Sequence, residues 1–167
     1  MKRISEIHDE DVGLETREVK YTIRTAARAV LRNKGKIALL HVSKHHYYKI
    51  PGGGIEKGES IKEGLQREVA EETGCTFTVE EDIGEIVEYK SYDKEVQTSY
   101  CFLADVINEG KQNFTKMEER HGFRLVWKPF EEALDLVKNS RPTTYLGKFI
   151  VLRDLKFLEE AQKYVKK

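Results

Sequence analysis

The chain has 167 residues, 39% hydrophobic and 35% charged, enough for one domain of ordinary size around a single core. Lys plus Arg and Asp plus Glu both number 29, so the formal net charge is zero, which excludes the large positive surplus of a generic nucleic-acid binder. No stretch nears the roughly 20 apolar residues that span a bilayer, and the opening MKRISEIHDEDVGLE has no apolar signal-peptide core, so the expected setting is cytoplasmic, with no membrane contact.

Residues 1–20 are polar and read as a loosely attached lead-in or edge element outside the core, leaving 21–167 as a single domain. Thr22 to Leu31 reads as a strand, Asn33-Lys34-Gly35 as a turn and Lys36 to Val42 as a second strand. The β-prone segment His45 to Ile50 runs into Pro51-Gly52-Gly53-Gly54, where a glycine-rich loop is expected to stop regular pairing. Ser60 and Glu63 have capping-box spacing and predict a helix to Thr73, with Gly74 as its C′ residue. Ile61, Leu65 and Val69 give that helix a buried stripe. Cys75 to Lys90 reads as strand with a break near Glu81-Asp82, and Gln97 to Val106 as another. Residues 108–121 read as a polar loop, followed by a short strand from Phe123 to Trp127. Pro129 falls in the first turn of a helix over Phe130 to Lys138. A last helix starts at Thr143 or Thr144 and reaches Val165, burying Tyr145, Phe149, Leu152, Leu155 and Leu158. Cys75 and Cys101 lie in apolar contexts and read as reduced, buried thiols.

Charge is unevenly placed. Residues 56–72 hold six acids against three bases, and residues 147–167 hold six bases against three acids. Glu68, Glu71 and Glu72 fall at i, i+3 and i+4 of the predicted helix, within one arc of its surface. Two of them lie near its C-terminal end, where the helix dipole disfavours negative charge. Such carboxylates repel unless a cation sits among them, and Mg²⁺, a hard ion that takes oxygen ligands and keeps waters, suits the set. Gly64 leaves that face uncrowded, and Arg67 has the donors to hold a neighbouring carboxylate in one orientation.

These residues belong to a longer pattern. Gly53, five residues, Glu59, seven residues, Arg67-Glu68-Val69, one residue, Glu71-Glu72, one residue, Gly74 and apolar Cys75 closely resemble the box of the Nudix hydrolases. The resemblance implies an α/β fold, the α/β/α sandwich with a curved mixed β-sheet. It implies that Glu68, Glu71 and Glu72 bind Mg²⁺, or Mn²⁺ as substitute, with the carbonyl of Gly52 or Gly53 as a further ligand and Glu59 in support. It implies Glu68 as a general base, Arg67 as the residue that orients the glutamates, and a metal-activated water attacking a diphosphate. A further acid from the loop before the Trp-containing strand is expected at Glu118, with Glu119 second. Glu85 and Glu88 alternate to opposite faces of their strand, and each reads as solvated.

The box fixes the bond and not the group attached to it. The proline that marks ADP-ribose hydrolases is absent, with Tyr89 in its place, and Tyr89 and Tyr92 straddle the tyrosine of dinucleoside polyphosphate hydrolases without matching it. What remains is the MutT-like group, acting on nucleoside triphosphates, oxidised ones included. Its substrate is a small nucleotide. Dinucleoside polyphosphates, ADP-ribose and RNA 5′ ends stay as alternative substrates, a non-catalytic nucleotide-sensing or RNA-associated protein is an alternative of another class, and relatives of this family often form homodimers. Candidate substrate contacts are Arg24 and Arg28, four apart on the first strand, Tyr47 or Tyr48 before the glycines, Tyr100, and Gln97 as a reader of a base edge.

Overall fold

The computed structural model describes residues 1–165. In chain order its strands and helices are β1 (Arg3–Ile7), β2 (Thr22–Asn33), β3 (Lys36–Val42), β4 (Tyr47–Lys49), β5 (Gly52–Gly54), α1 (Ile61–Thr73), β6 (Thr76–Lys90), β7 (Glu95–Asn108), α2 (Lys116–Arg120), β8 (Phe123–Lys128), α3 (Phe130–Lys138) and α4 (Tyr145–Val165). The strands form one mixed sheet of order β1-β6-β7-β2-β3-β4, with β5 added on β2 and β8 on β3. Among the described residues no helix is long and apolar enough to cross a membrane.

Strand β2 organises the sheet. It runs parallel to β7 from Thr22↔Glu95 to Arg32↔Asp105 and antiparallel to β5 over Ala26 to Arg28. Its side chains alternate between two cores, as a strand buried on both faces requires. Ala27, Ala29 and Leu31 pack with Leu65 and Val69 of α1, while Val30 packs with Phe149, Phe157 and Leu158 of α4. Arg28 shares parity with Val30 and is therefore carried to the α4 face.

Helix α1 starts and stops where its local sequence says. Ser60 accepts from the Glu63 amide, Glu63 accepts from the Ser60 amide, and Gly74 closes the helix with φ 73°. Leu65 and Val69 are fully buried, each contributing about 1.5–3 kcal/mol by burial. The break expected near Glu81-Asp82 takes the form of register shifts at Val79/Glu81 and Asp82/Gly84 within a continuous β6.

Several expectations are corrected. Residues 3–7 form the edge element of the two readings, but they are not outside the core: β1 pairs parallel with β6, and Ile7 lies wholly inside the core. Behind it Asp9 is buried, accepting from the Tyr145 hydroxyl and the Ser91 amide, which ties this end to α4. The glycine segment does not end pairing, because β5 is itself a strand on β2. Residues 108–121 include α2, which Thr115 and Glu118 cap reciprocally. Pro129 precedes α3 as its cap residue. The buried face of α4 includes the expected Phe149 and Leu158 but is completed by Arg153, Asp154, Phe157 and Ala161, while Tyr145, Leu152 and Leu155 are only partly covered. Cys75 and Cys101 are free, buried thiols in different cores.

Ile7→Ala should lower unfolding free energy by about 2–5 kcal/mol, the range for deleting a fully buried aliphatic side chain. Urea unfolding checks it; a change within about 0.5 kcal/mol would mean that β1 lies outside the cooperative unit.

Candidate active site

Three residues without side chains shape the centre of the molecule. A Cβ on Gly52, where φ is 138°, would lie 2.1 Å from the Ala27 carbonyl oxygen. A Cβ on Gly53 would lie 2.4 Å from the carboxyl carbon of Glu68, and one on Gly54 would lie 2.7 Å from Nη2 of Arg24. Strand β5 is therefore a thin partition. Glu68 of α1 leans on it from one side and Arg24 of β2 from the other, and a cleft of about 350 Å³ runs along it.

The acidic side is organised by Arg67. Its Nε and Nη2 donate to Glu59 at 2.6 and 3.0 Å, Nη1 donates to Glu68 at 2.8 Å, and Nη2 also donates to the Gly54 carbonyl at 3.0 Å. Glu56 and Glu71 stand within 4.0 Å of the same guanidinium. The fork holds Glu59 bidentately, which lowers its pKa to about 2. Burial, then the charges of Glu68, Glu118 and Glu56, raise the Glu71 pKa against the pull of Arg67. Negative charge is thus left unbalanced at Glu68 and Glu71, both of which line the cleft.

Glu72 behaves differently from its neighbours. It is buried at 1% exposure beneath the partition, accepting from the Gly52 amide at 2.7 Å, with Lys49 Nζ 3.1 Å from Oε2. Burial raises its pKa to about 7, opposed by Lys49 and the Gly52 amide. It is not among the described residues that line the cleft, and its hydrogen bond holds the glycine strand from behind. The Gly52 carbonyl accepts from Arg28 at 2.6 Å and Lys49 at 3.3 Å. The Gly54 carbonyl accepts from Arg67, whereas the Gly53 carbonyl faces β2, since Ala27 and Gly53 lie between the bonded pairs Ala29–Pro51 and Thr25–Ile55 of the antiparallel ladder.

No three acidic, His or Cys side chains of the described residues converge into a ready-made metal cage. The donor set still fits a hard divalent cation, since Mg²⁺ is commonly held by one or two carboxylates, waters and substrate phosphates. Glu68 and Glu71 are the groups that offer this, and Glu118 lines the same cleft. Glu118 also accepts from the Thr115 amide at 2.9 Å, whereas Glu119 is exposed and outside the lining.

The other side of the cleft is basic. Arg24, Arg28, Lys49, Lys90 and Arg153 all line it. Burial and the nearby Arg153 lower the Arg28 pKa to about 10. Burial works against the charge of Arg153, but Asp154 and Glu88 outweigh it and raise that pKa. Arg153 donates to Asp154 at 2.8 Å and to Glu88 at 3.5 Å, and Asp154 accepts from the Ile50 amide at 3.0 Å. Glu88, expected in solvent, is 1% exposed and accepts from Gln97 and Ser99. Glu85 goes to the opposite side and pairs with Arg3.

The expected substrate contacts divide. Arg24, Arg28 and Gln97 line the cleft; Tyr47, Tyr48 and Tyr100 do not. Tyr47 is buried against Gly147 at the start of α4. Tyr48 stacks on His41 at 4.2 Å and packs, partly buried, against the core under α3, and Tyr100 packs in the α1 core. Lys49, Lys90 and Arg153 were not anticipated. A usable signal existed for two of them: Lys49 shares alternation parity with Tyr47, and Arg153 sits midway between Phe149 and Phe157, a cation inside an apolar stripe.

Two outcomes follow from this geometry. Glu59 has an ordinary pKa of 4.5 and a folded one near 2. Its stabilisation is therefore complete above about pH 5 and is lost as pH falls through the folded value. The melting temperature of Glu59→Gln should fall below that of the unaltered protein at pH 7, with the gap closing below pH 4; a gap independent of pH would refute the ion pair. Gly53→Ala should push the Glu68 carboxylate off its seat. Turnover should fall about 10²-fold for a stability change of about 1–3 kcal/mol, read by kinetics and urea unfolding on one sample.

Comparison with known proteins agrees with this architecture. The NUDIX domain family model matches residues 22–146. "Nudix hydrolase 18, mitochondrial" of Arabidopsis thaliana is 24% identical over 122 residues, covering 72% of this chain and 66% of its own, so the chain spans just under two thirds of that relative. An "RNA pyrophosphohydrolase" of Nitratiruptor sp. is 34% identical over 110 residues, 59% of this chain and 68% of that one. Among solved structures, a NUDIX hydrolase from Nitrosomonas europaea superposes with TM-score 0.63 at 20% identity, covering 86% of this chain and 90% of its own. With the mixed sheet, the glycine strand and the glutamate helix in place, the chain belongs to the Nudix family.

Proposed function

We propose that this chain is a Mg²⁺-dependent pyrophosphohydrolase acting on a nucleoside diphosphate linked to a further group, with nucleoside triphosphates as substrates and a nucleoside monophosphate and pyrophosphate as products. The observation that carries it is the partition: unbalanced carboxylates on one side of three glycines and cations on the other, along one cleft. Glu68 and Glu71, with the carbonyl of Gly52 or Gly53, are the groups to hold the ion, and Mn²⁺ would substitute. When bound, the ion supplies Lewis acidity, neutralising phosphate oxygens and acidifying the attacking water.

The chain's own residues do the rest. Arg67 holds Glu68 in one orientation, so the carboxylate meets its water without searching rotamers. Glu68 accepts the proton of that water as it attacks phosphorus. Glu118, on the far lip, is a second carboxylate within the same cleft. The basic wall takes the negative charge that develops on the departing phosphate. Two buried free thiols suit a reducing, cytoplasmic setting. A second reading, cleavage at triphosphorylated RNA 5′ ends, is favoured by the name that the Nitratiruptor relative bears.

Phosphate or pyrophosphate release should be measured over nucleoside triphosphates, an oxidised deoxynucleoside triphosphate, ADP-ribose, a dinucleoside polyphosphate and a 5′-triphosphate RNA. Turnover should require Mg²⁺ or Mn²⁺ and fall about 10²–10⁴-fold in Glu68→Gln. No turnover of any member, or turnover that survives that substitution, would defeat the reading. Faster cleavage of the RNA than of free triphosphate would select the second reading.

A further inference from the structure

The two walls of the cleft differ in what they can read. Beyond the glutamates that face the glycine strand, the inner wall carries Arg24, Arg28, Lys49, Lys90 and Arg153. Some of this charge is unspent. Arg28 Nε and Arg153 Nη2 are buried and have no hydrogen-bond partner, and an N–H left so is costly until an acceptor arrives. Among the described residues Arg24 has a long contact to Glu95 at 3.8 Å as its one ion pair, and its guanidinium lies over Gly54. A phosphate oxygen is the acceptor that suits such a wall.

The cleft has little with which to recognise a base. Gln97 is the one carboxamide among the described lining residues. Both its ends are committed: Oε1 accepts from Lys90 at 3.2 Å, while Nε2 donates to Glu88 and to Ser99, each at 2.9 Å. Glu88 is likewise occupied by Gln97, Ser99 and Arg153. The mouth is largely apolar, with Thr115 and His121 as its polar side chains, and the Thr115 hydroxyl is committed to the cap of α2. Met117 on α2 and Leu146 on α4 line the same cleft and are 57% and 46% exposed, with half-buried Phe123 and Ile150 beside them. Such side chains hold any flat or apolar group and offer no donor or acceptor to distinguish one base from another. Discrimination of bases by factors of 10⁴ or more needs paired polar groups; apolar contact alone gives far less.

Resting on the hydrolase reading above, we infer that this enzyme selects its substrate by the number of phosphates and not by the base: the inner wall takes the phosphate beyond the cleaved anhydride, and the apolar mouth takes whatever the chain of phosphates carries. Arg24 and Arg153 are the specificity-determining residues in this arrangement. Inorganic tripolyphosphate, which has the charge and no base, is then a ligand for the same wall.

The test compares kcat/KM for ATP, GTP, CTP and UTP with that for the corresponding diphosphates, in the unaltered protein and in Arg24→Gln and Arg153→Met. The four triphosphates should agree within about threefold, each should exceed its diphosphate at least tenfold, and tripolyphosphate should inhibit competitively. Either substitution should bring the ratio of triphosphate to diphosphate toward one. Arg24 is half-exposed, so its variant keeps the test informative if the buried Arg153 variant fails to fold. A tenfold preference for one base, or equal use of diphosphates and triphosphates, overturns the inference. If nothing is turned over, the hydrolase reading falls separately. Calorimetric titration with tripolyphosphate then decides this one: binding weakened at least tenfold by Arg24→Gln supports it, and equal binding overturns it.

Discussion

The absence of side chains at Gly52, Gly53 and Gly54 is the constraint on which the rest of the site depends. A strand normally keeps the groups on its two faces apart by its own side chains. Here a carboxylate rests on one face and a guanidinium on the other, each where a methyl group would collide. The strand is held from below by Glu72 through the Gly52 amide, and by Arg28 and Lys49 through the Gly52 carbonyl. These buried charges serve position more than stability. Removing one member of such a set strands the others in a medium of low dielectric, so the set behaves as a unit.

Arg67 extends the same logic to the acidic side. Four carboxylates lie within 4.0 Å of one guanidinium. It cannot neutralise all of them, and it is aligned best on Glu59 and Glu68. The bidentate pairing with Glu59 anchors the guanidinium, and its remaining N–H fixes Glu68. Glu59 thus acts at one remove from the cleft, through the residue that it holds.

The sequence made the local features legible. The Ser60–Glu63 cap, the Gly74 stop and the α1 stripe each depend on residues a few positions apart, so spacing alone reveals them. The box glutamates are readable for the same reason. What escaped notice depends on distant partners. Glu88 is buried because Gln97 and Ser99 of β7 and Arg153 of α4 surround it, and nothing in the residues next to it announces them. Alternation correctly sends Tyr47 and Tyr48 opposite ways, but it does not say that α4 covers the inner one. Ile7 sits in a polar segment whose burial is created by β6, about eighty residues later in the chain.

Helix α4 has a consequence for the order in which this molecule acquires its properties. The acids of the cleft come from α1, β6 and α2, all before residue 121, but Arg153 and the Asp154 contact to Ile50 come later in the chain, from α4. A chain emerging from the ribosome therefore holds its carboxylates before it holds the last cation of the opposing wall. Contacts of such long sequence separation are slow to form. The Tyr145 hydroxyl donates to Asp9, so α4 is anchored to the segment behind β1 as well as to the sheet.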